Sequence, residues 1–247
     1  MSHLDGSVTV ITGASSGIGA ASALKIAAAG SHVVLAARNE EKLKKLVAQI
    51  TEAGGKAVYH VTDVSKESSL RDLAQFATRE FGQIDNLVNN AGLMLFSDWK
   101  DVAVDDWDKM INTNIKGYLY SIAAVLPGML NQGHGRILNM SSVAGIHVGG
   151  SSGVYSATKF FIRGITESLR KEVGVNSGIQ VSMISPGVID TGWADKVNNE
   201  EARKTAQKLN EGAIPPEKIA EAVVYALNQP AELSISDIVI HPTKQDW

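Results

Sequence analysis

The sequence has no cysteine, few aromatic residues and no excess of charge of either sign. Without cysteine, the chain has no disulfide, no thiolate metal site and no cysteine nucleophile, which suits a reducing compartment. Its 23 basic and 26 acidic residues leave no basic excess for nucleic-acid binding. No apolar run reaches the 18 residues of a membrane span, and the first residues, MSHLDGS, do not resemble a signal peptide. These absences predict a soluble, cytoplasmic protein that binds neither nucleic acid nor membrane, with no metal site.

Short β-branched runs alternate with longer amphipathic segments along the whole chain. Continuous apolar strands separated by helices are typical of a parallel sheet, and right-handed crossovers place helices on both of its faces. We therefore predict an α/β fold with one doubly wound Rossmann domain over residues 1–247. The seven predicted strands are Val8–Ile11, His32–Ala36, Lys56–Val61, Ile84–Asn89, Arg136–Met140, Ile179–Ser185 and Asp237–Ile240. The predicted helices are Ala20–Ala29, Glu40–Ala53, Ser65–Phe81 with Ser65 as its cap, Val104–Leu130, Val154–Val173 and Pro215–Asn228.

One irregular stretch, Val188 to Gly212, interrupts this alternation and contains the charged run Asn198 to Asn210. It follows the carboxyl end of a predicted strand, which is where doubly wound folds bind their ligands. Two interpretations stay open, a lid over a substrate site and an ordinary surface loop.

A glycine-rich segment, TGASSGIG at Thr12–Gly19, joins the first predicted strand to the first helix. Glycines let the chain turn tightly and let a pyrophosphate approach the backbone, while the helix N-terminus offers free N–H groups. The spacing is GxxxGxG rather than GxGxxG, and a purely structural turn is the alternative. Its place between strand and helix favours a dinucleotide site.

The end of the second strand bears on which dinucleotide is bound. An acidic residue there binds the ribose hydroxyls of NAD, whereas a nearby arginine accommodates the 2′-phosphate of NADP. Here Ala37 is followed by Arg38, and the first carboxylate is Glu40. The residues favour NADP(H), with a merely solvated Arg38 as the alternative.

Tyr155 and Lys159 stand four residues apart in a predicted helix, which places both side chains on one face. A tyrosine has a pKa of about 10, and an adjacent ammonium lowers that pKa, so the pair suits acid–base chemistry. Ser142 lies just after a strand and Asn114 lies in the longest helix. Taken singly, Ser142 is equally explained as a helix cap and Asn114 as a satisfied buried amide.

Together these motifs resemble the short-chain dehydrogenase/reductase family over nearly the whole chain. The residues that carry the resemblance are Thr12–Gly19, Asp63-Val64, Asn89-Asn90-Ala91-Gly92, Asn114, Ser141-Ser142, Tyr155 to Lys159 (YSATK) and Pro186-Gly187, in the family's order and spacing. NNAGLML at 89–95 and IVIHPT at 238–243 further resemble the clavulanate dehydrogenase type of NADPH-dependent carbonyl reductases.

The resemblance implies a catalytic tetrad. Tyr155 would be the general acid in carbonyl reduction, and Ser142 would polarise the substrate carbonyl. Lys159 would lower the pKa of the tyrosine and bind the nicotinamide ribose. Asn114 would hold a water that links Lys159 to bulk solvent.

The resemblance also implies a set of residues that contact NADP(H). Asp63 would lie at the adenine, and the main chain at 186–188 with Thr191 would hold the nicotinamide carboxamide. The family's second basic position is a serine here, which leaves Arg38 as the chief partner of the 2′-phosphate. The whole implied set is Gly13, Ser15, Ser16, Gly17, Ile18, Gly19, Arg38, Asp63, Val64, Asn89, Ala91, Gly92, Tyr155, Lys159, Pro186, Gly187, Val188 and Thr191.

The substrate is expected to be a small carbonyl compound or alcohol. The walls implied by the resemblance are Met94, Phe96, Ile146, His147 and Trp193, a mostly apolar set that suits a hydrophobic ketone or aldehyde. The main hypothesis is therefore an NADPH-dependent reductase acting as a homotetramer or homodimer.

Three alternatives to this main hypothesis stay open. They are an NAD-dependent alcohol or sugar-alcohol dehydrogenase, a 3-oxoacyl-carrier-protein reductase, and a dinucleotide-sensing protein without catalysis. The glycine-free ending SDIVIHPTKQDW speaks against the carrier-protein reductase.

Overall fold

The computed structural model describes residues 2–197 and 200–245, and these form a seven-stranded parallel sheet with helices on both faces. The strand order is β3-β2-β1-β4-β5-β6-β7. The strands are β1 Val8–Thr12, β2 His32–Ala37, β3 Ala57–Val61, β4 Asn86–Asn89, β5 Gly135–Met140, β6 Ile179–Pro186 and β7 Asp237–Ile240. The helices are α1 Gly17–Ala28, α2 Glu40–Glu52, α3 Glu67–Phe81, α4 Val104–Met110, α5 Gly117–Gln132, α6 Gly153–Leu169, α7 Val175–Ser177, α8 Glu200–Asn210 and α9 Pro216–Leu227.

Alternate residues of each inner strand point to opposite faces of the sheet, which creates two apolar layers. In β2, Val33 and Leu35 pack into the layer shared with α1, α2 and α9. Val34 and Ala36 pack into the opposite layer, with α3 and α5. The central strands β1, β4, β5 and β6 are buried along nearly their whole length, and the predicted doubly wound α/β fold is confirmed.

Four predicted elements differ from the structure. The helix predicted over Val154–Val173 ends as α6 at Leu169 and is followed by a π-helical turn at Arg170–Gly174. Ser65 does not cap α3, because its hydroxyl donates instead to Asp63 Oδ1 at 2.7 Å and the helix begins at Glu67. The stretch predicted as one helix from Val104 is divided by a π-helical turn at Ile111–Lys116. The stretch 188–212 contains a regular helix, α8, whose charged sequence carries no broad apolar stripe. None of the described helices is long and apolar enough to cross a membrane.

The sheet order reverses between β1 and β4, which are neighbours although two strands separate them in sequence. Crossovers leave β1 and β4 toward opposite faces of the sheet and open a crevice at their carboxyl ends. The loops that follow β1 to β6 meet at this crevice.

Candidate active site

The crevice is a cleft with a volume of about 580 Å³. The structure brings most of the predicted site residues to its walls, whereas Gly19, Asn89 and Asn114 lie behind the walls. The predicted residues that line it are Gly13, Ser15, Ser16, Gly17, Ile18, Arg38, Asp63, Val64, Ala91, Gly92, Ser142, Tyr155, Lys159, Pro186, Gly187, Val188 and Thr191.

The glycine loop forms one wall and depends on two glycines with positive φ. Gly13 has φ +66°, and a Cβ there would lie 2.8 Å from Ala91 Cα. Gly17 has φ +54°, and a Cβ there would lie 2.9 Å from Thr191 Cβ. Neither position has room for a side chain. The N-cap of α1, Ser16, makes no side-chain capping bond, so the helix N-terminus keeps donors for an anionic group such as a pyrophosphate.

Two of the residues behind the walls hold the loops in place. A Cβ on Gly19 would lie 2.6 Å from Asn90 Nδ2, and that amide donates to Thr12 O at 3.0 Å. The buried side chain of Asn89 donates to Asn139 Oδ1 at 3.0 Å and accepts from the Ser121 hydroxyl. Gly19 thus lets α1 approach the loop, and Asn89 ties β4 to β5.

Two cations stand at the end of the cleft formed by β2. Arg38 follows the strand directly, and Lys42 lies in the first turn of α2, whose cap Asn39 accepts from Lys42 N at 3.0 Å. Both side chains are exposed and line the cleft. Within the described ranges neither forms an ion pair, whereas nearby Lys44 binds Glu40 and Glu41. The geometry therefore leaves two positive charges available to an anionic ligand.

Asp63 lies next to Arg38, two residues after β3, the strand that pairs with β2. Burial raises the pKa of its carboxyl group, but two hydrogen bonds from Ser65 and the positive charges of Arg38 and Lys66 outweigh burial. The pKa is therefore below its usual value, and Asp63 is an acceptor at neutral pH.

Ser142 and Tyr155 meet where β5 ends. Ser142 caps a short 3₁₀ turn, accepting from Ala144 N at 3.1 Å, and its hydroxyl donates to Pro186 O at 3.4 Å. Tyr155 lies in the first turn of α6, where burial raises the pKa of its phenol to about 12 and a hydrogen bond with Ser142 partly lowers it. Tyr155 therefore carries its proton at neutral pH.

Lys159 lies one helical turn after Tyr155 and is 4% exposed. Its Nζ donates to Met140 O at 2.8 Å and lies 5.7 Å from the ring centroids of both Tyr118 and Tyr155. Burial lowers the pKa of this ammonium to about 7, because two rings and one carbonyl replace its hydration only in part. The expected effect of Lys159 on the pKa of Tyr155 is smaller here than the effect of burial.

This lowered pKa predicts a stability that rises with pH. Between pH 7 and the ordinary lysine value of 10.5, the unfolded chain binds one more proton at Lys159 than the folded chain does. The wild type's free energy of unfolding, relative to that of Lys159→Met, should therefore rise by about 1 kcal/mol for each pH unit across this window. Denaturant unfolding at pH 7, 8 and 9 measures this difference. The exposed Lys45→Met is the control, and parallel curves for wild type and Lys159→Met would contradict the lowered pKa.

Asn114 lies on the π-helical turn and is fully buried. Its side chain accepts from Leu93 N at 2.8 Å and donates to Leu93 O at 2.8 Å and to Thr158 Oγ1 at 3.1 Å. These bonds hold the loop after β4 against α6, next to Lys159. Whether the residue also holds a water stays a prediction.

The substrate end of the cleft is lined by Met94, Phe96 and Trp193, as expected, but not by Ile146 or His147 among the described residues. The last two directly follow the 3₁₀ turn Val143–Gly145, whose first two residues do line the cleft. Phe96 and Trp193 meet edge to face with ring centroids 5.4 Å apart.

Sequence reasoning missed several lining residues, and two of them, Lys42 and Gln245, present polar side chains that bear on cofactor binding. Lys42 has a signal in the sequence, because it is a cation at the start of the predicted helix Glu40–Ala53, four residues after Arg38. Gln245 has none, since only the folding of the chain end back onto the loop after β6 brings it to the cleft.

A sequence model of the short chain dehydrogenase family matches residues 7–202. The chain belongs to this family. The predicted resemblance is thereby confirmed, and the enzyme is an oxidoreductase; its likeness to the clavulanate dehydrogenase type stays a prediction.

Known relatives share its length and fold. An uncharacterized oxidoreductase of Staphylococcus aureus strain MW2 is 40% identical over 242 residues, covering 98% of this chain and 100% of its own. The closed form of serine dehydrogenase complexed with NADP+ superposes with a TM-score of 0.89 at 30% identity, covering 97% of this chain and 96% of that one. A short chain dehydrogenase/reductase from Burkholderia phymatum in complex with NAD gives 0.88 at 30% identity, covering 97% and 90%. Structural neighbours therefore bind either dinucleotide.

Proposed function

We propose that the enzyme uses NADPH to reduce a ketone or aldehyde to an alcohol. One observation carries the proposal: a single cleft has a proton donor beside a polarising hydroxyl at one end and two cations at the other. Arg38 and Ser142 follow strands that are three places apart in the sheet, which separates them by about 14 Å. A dinucleotide laid across the strand ends would reach both.

When bound, the nicotinamide dinucleotide supplies the hydride. The chain's own part is to position the carbonyl and deliver a proton. Ser142 donates a hydrogen bond to the substrate oxygen, and Tyr155 protonates that oxygen as negative charge develops on it. A phenol with a raised pKa is suited to this direction, because it is protonated before the reaction and an alkoxide is a stronger base than a phenolate.

Lys159 restores the proton to Tyr155 in this proposal. Its pKa of about 7 lets the ammonium exchange protons with solvent near neutrality, the condition for efficient proton relay. Asn114 positions the surrounding main chain through Leu93 and Thr158, and it completes the proposed tetrad of Asn114, Ser142, Tyr155 and Lys159.

The test is the rate of oxidation of NADPH and NADH, measured side by side with aryl ketones, keto esters and aldehydes. We expect turnover with NADPH to be much the faster, because Arg38 and Lys42 offer two charges to a 2′-phosphate. Faster turnover with NADH would favour an NAD-dependent dehydrogenase. Binding of both without turnover of any carbonyl or alcohol would favour a dinucleotide sensor.

We propose that residues 1–247 act as one domain and that 188–212 is a lid over the substrate. Contact of Trp193 with Phe96, next to the buried Ala194, Val197 and Ala206, supports this. The apolar rings suit a hydrophobic carbonyl compound.

Trp193→Ala should raise the KM for a hydrophobic ketone about tenfold, since it removes much of the apolar surface that covers the substrate. The KM for NADPH and kcat should change little. Steady-state kinetics measure all three, and an unchanged ketone KM would contradict the lid.

We further propose that the enzyme is a homotetramer or homodimer. Three large apolar side chains more than 40% exposed support this, Leu119 and Leu130 on α5 and Phe160 on α6. Sedimentation equilibrium of the purified chain measures the assembly.

A further inference from the structure

The end of the chain enters the cleft through one side chain. Gln245 Oε1 accepts a hydrogen bond from Val188 N at 2.9 Å, and Gln245 lines the cleft. The neighbouring donor, Gly187 N, is already bonded to Ile240 O at 2.7 Å in continuation of the β6–β7 pairing. Val188 N–H, the next donor of this loop, is bonded instead by the Gln245 side chain.

The loop is shaped to receive this segment. A Cβ on Gly187 would lie 2.6 Å from His241 Cβ and would also collide with Gln245 Oε1. Gly187 has an ordinary φ, so the position needs glycine for the space and not for the backbone conformation. The lack of a side chain at Gly187 therefore allows residues 241–245 to pack against the loop.

The group that Gln245 presents is a primary carboxamide, the same group that the nicotinamide ring carries. Under the proposed function, the main chain at 186–188 holds the cofactor carboxamide. In the structure, the carboxamide oxygen of Gln245 accepts a hydrogen bond from one of these main-chain N–H groups, that of Val188.

We propose that Gln245 binds at the carboxamide position of the cleft and competes there with the nicotinamide end of the cofactor. The inference rests on the proposed function. Displacement requires only rotation of the glutamine side chain, because Gln245 N is held separately by Pro242 O at 2.9 Å. The turn at the chain end can stay in place while the side chain leaves.

The test compares two ligands on the full-length protein. NADPH carries the carboxamide, whereas 2′-phospho-ADP-ribose has the same adenosine and phosphates but no nicotinamide. Gln245→Ala should bind NADPH about fivefold more tightly, since the cofactor no longer replaces a neutral hydrogen bond. Gln245→Glu should bind NADPH about fivefold more weakly, because a carboxylate accepts more strongly from Val188 N–H. Both variants should bind 2′-phospho-ADP-ribose as the wild type does.

Isothermal titration calorimetry measures all the dissociation constants, and Thr243→Ala, an exposed change in the same segment, is the matched control. An unchanged or weakened affinity of Gln245→Ala for NADPH would overturn the inference. Equal changes for both ligands would also overturn it, because the effect would then not lie at the carboxamide.

Failure of the proposed function is visible separately, in the wild type alone. If the wild-type protein prefers NADH, the same comparison of variants is made with NADH and ADP-ribose as the two ligands. Wild type that binds none of these ligands refutes the proposed function, and this inference with it.

Discussion

Tyr155→Phe should lower kcat for carbonyl reduction by about 10³-fold, because the variant keeps the ring and loses the proton that reaches the substrate oxygen. The ring packs near Lys159 and the hydroxyl bonds to Ser142, so the change removes one polar contact and leaves the cleft its shape. Affinity for NADPH should stay within about twofold of the wild type. Single-turnover rates and calorimetric titration measure the two quantities.

The matched control is Tyr225→Phe, which removes the hydroxyl of a tyrosine that is 57% exposed on α9 and should leave kcat unchanged. Retained turnover in Tyr155→Phe would refute the proposed general acid. Loss of both turnover and NADPH binding would instead assign Tyr155 to cofactor binding.

Arg38→Gln should lower kcat/KM for NADPH between about 10-fold and 10²-fold, with little change for NADH. A charge-assisted hydrogen bond contributes about 1.5–3 kcal/mol, and only the 2′-phosphate can receive it from this position. The exposed guanidinium packs in no core cluster, so the fold should tolerate the change. Steady-state kinetics with both cofactors test this, with a saturating ketone.

Two lysines of α2 provide a second test and a control for the proposed phosphate site. Lys42→Gln should lower kcat/KM for NADPH relative to NADH by a smaller factor than Arg38→Gln does. Lys42 also lines the cleft, beside Arg38. Lys45→Gln removes an equal charge from an exposed position of the same helix outside the cleft and should change neither cofactor. Equal changes in kcat/KM for Lys42→Gln and Lys45→Gln would indicate a general effect of charge. An unchanged kcat/KM for NADPH in Arg38→Gln would contradict the proposed phosphate site.

Much of the fold was predictable because its elements carry local patterns. β2 is an apolar run over nearly all of its length, so its position follows from hydrophobicity alone. Element ends were less predictable: Ser65 is a good capping residue, but it bonds back to Asp63. The π-helical turn at Ile111–Lys116 was not predictable, because its six residues are too few to establish a period of their own in the sequence.

The sequence by itself determined the chemistry that is available: a glycine turn before a helix, an arginine after the second strand, and Tyr155 one helical turn before Lys159. Local spacing suffices for these, since each motif lies within one loop or one helix. Only the tertiary structure decided that Asn89 and Asn114 lie behind the cleft walls and that Lys42 and Gln245 line it. Burial and long-range contacts set those placements and the pKa of Lys159, and both depend on which distant segments pack together.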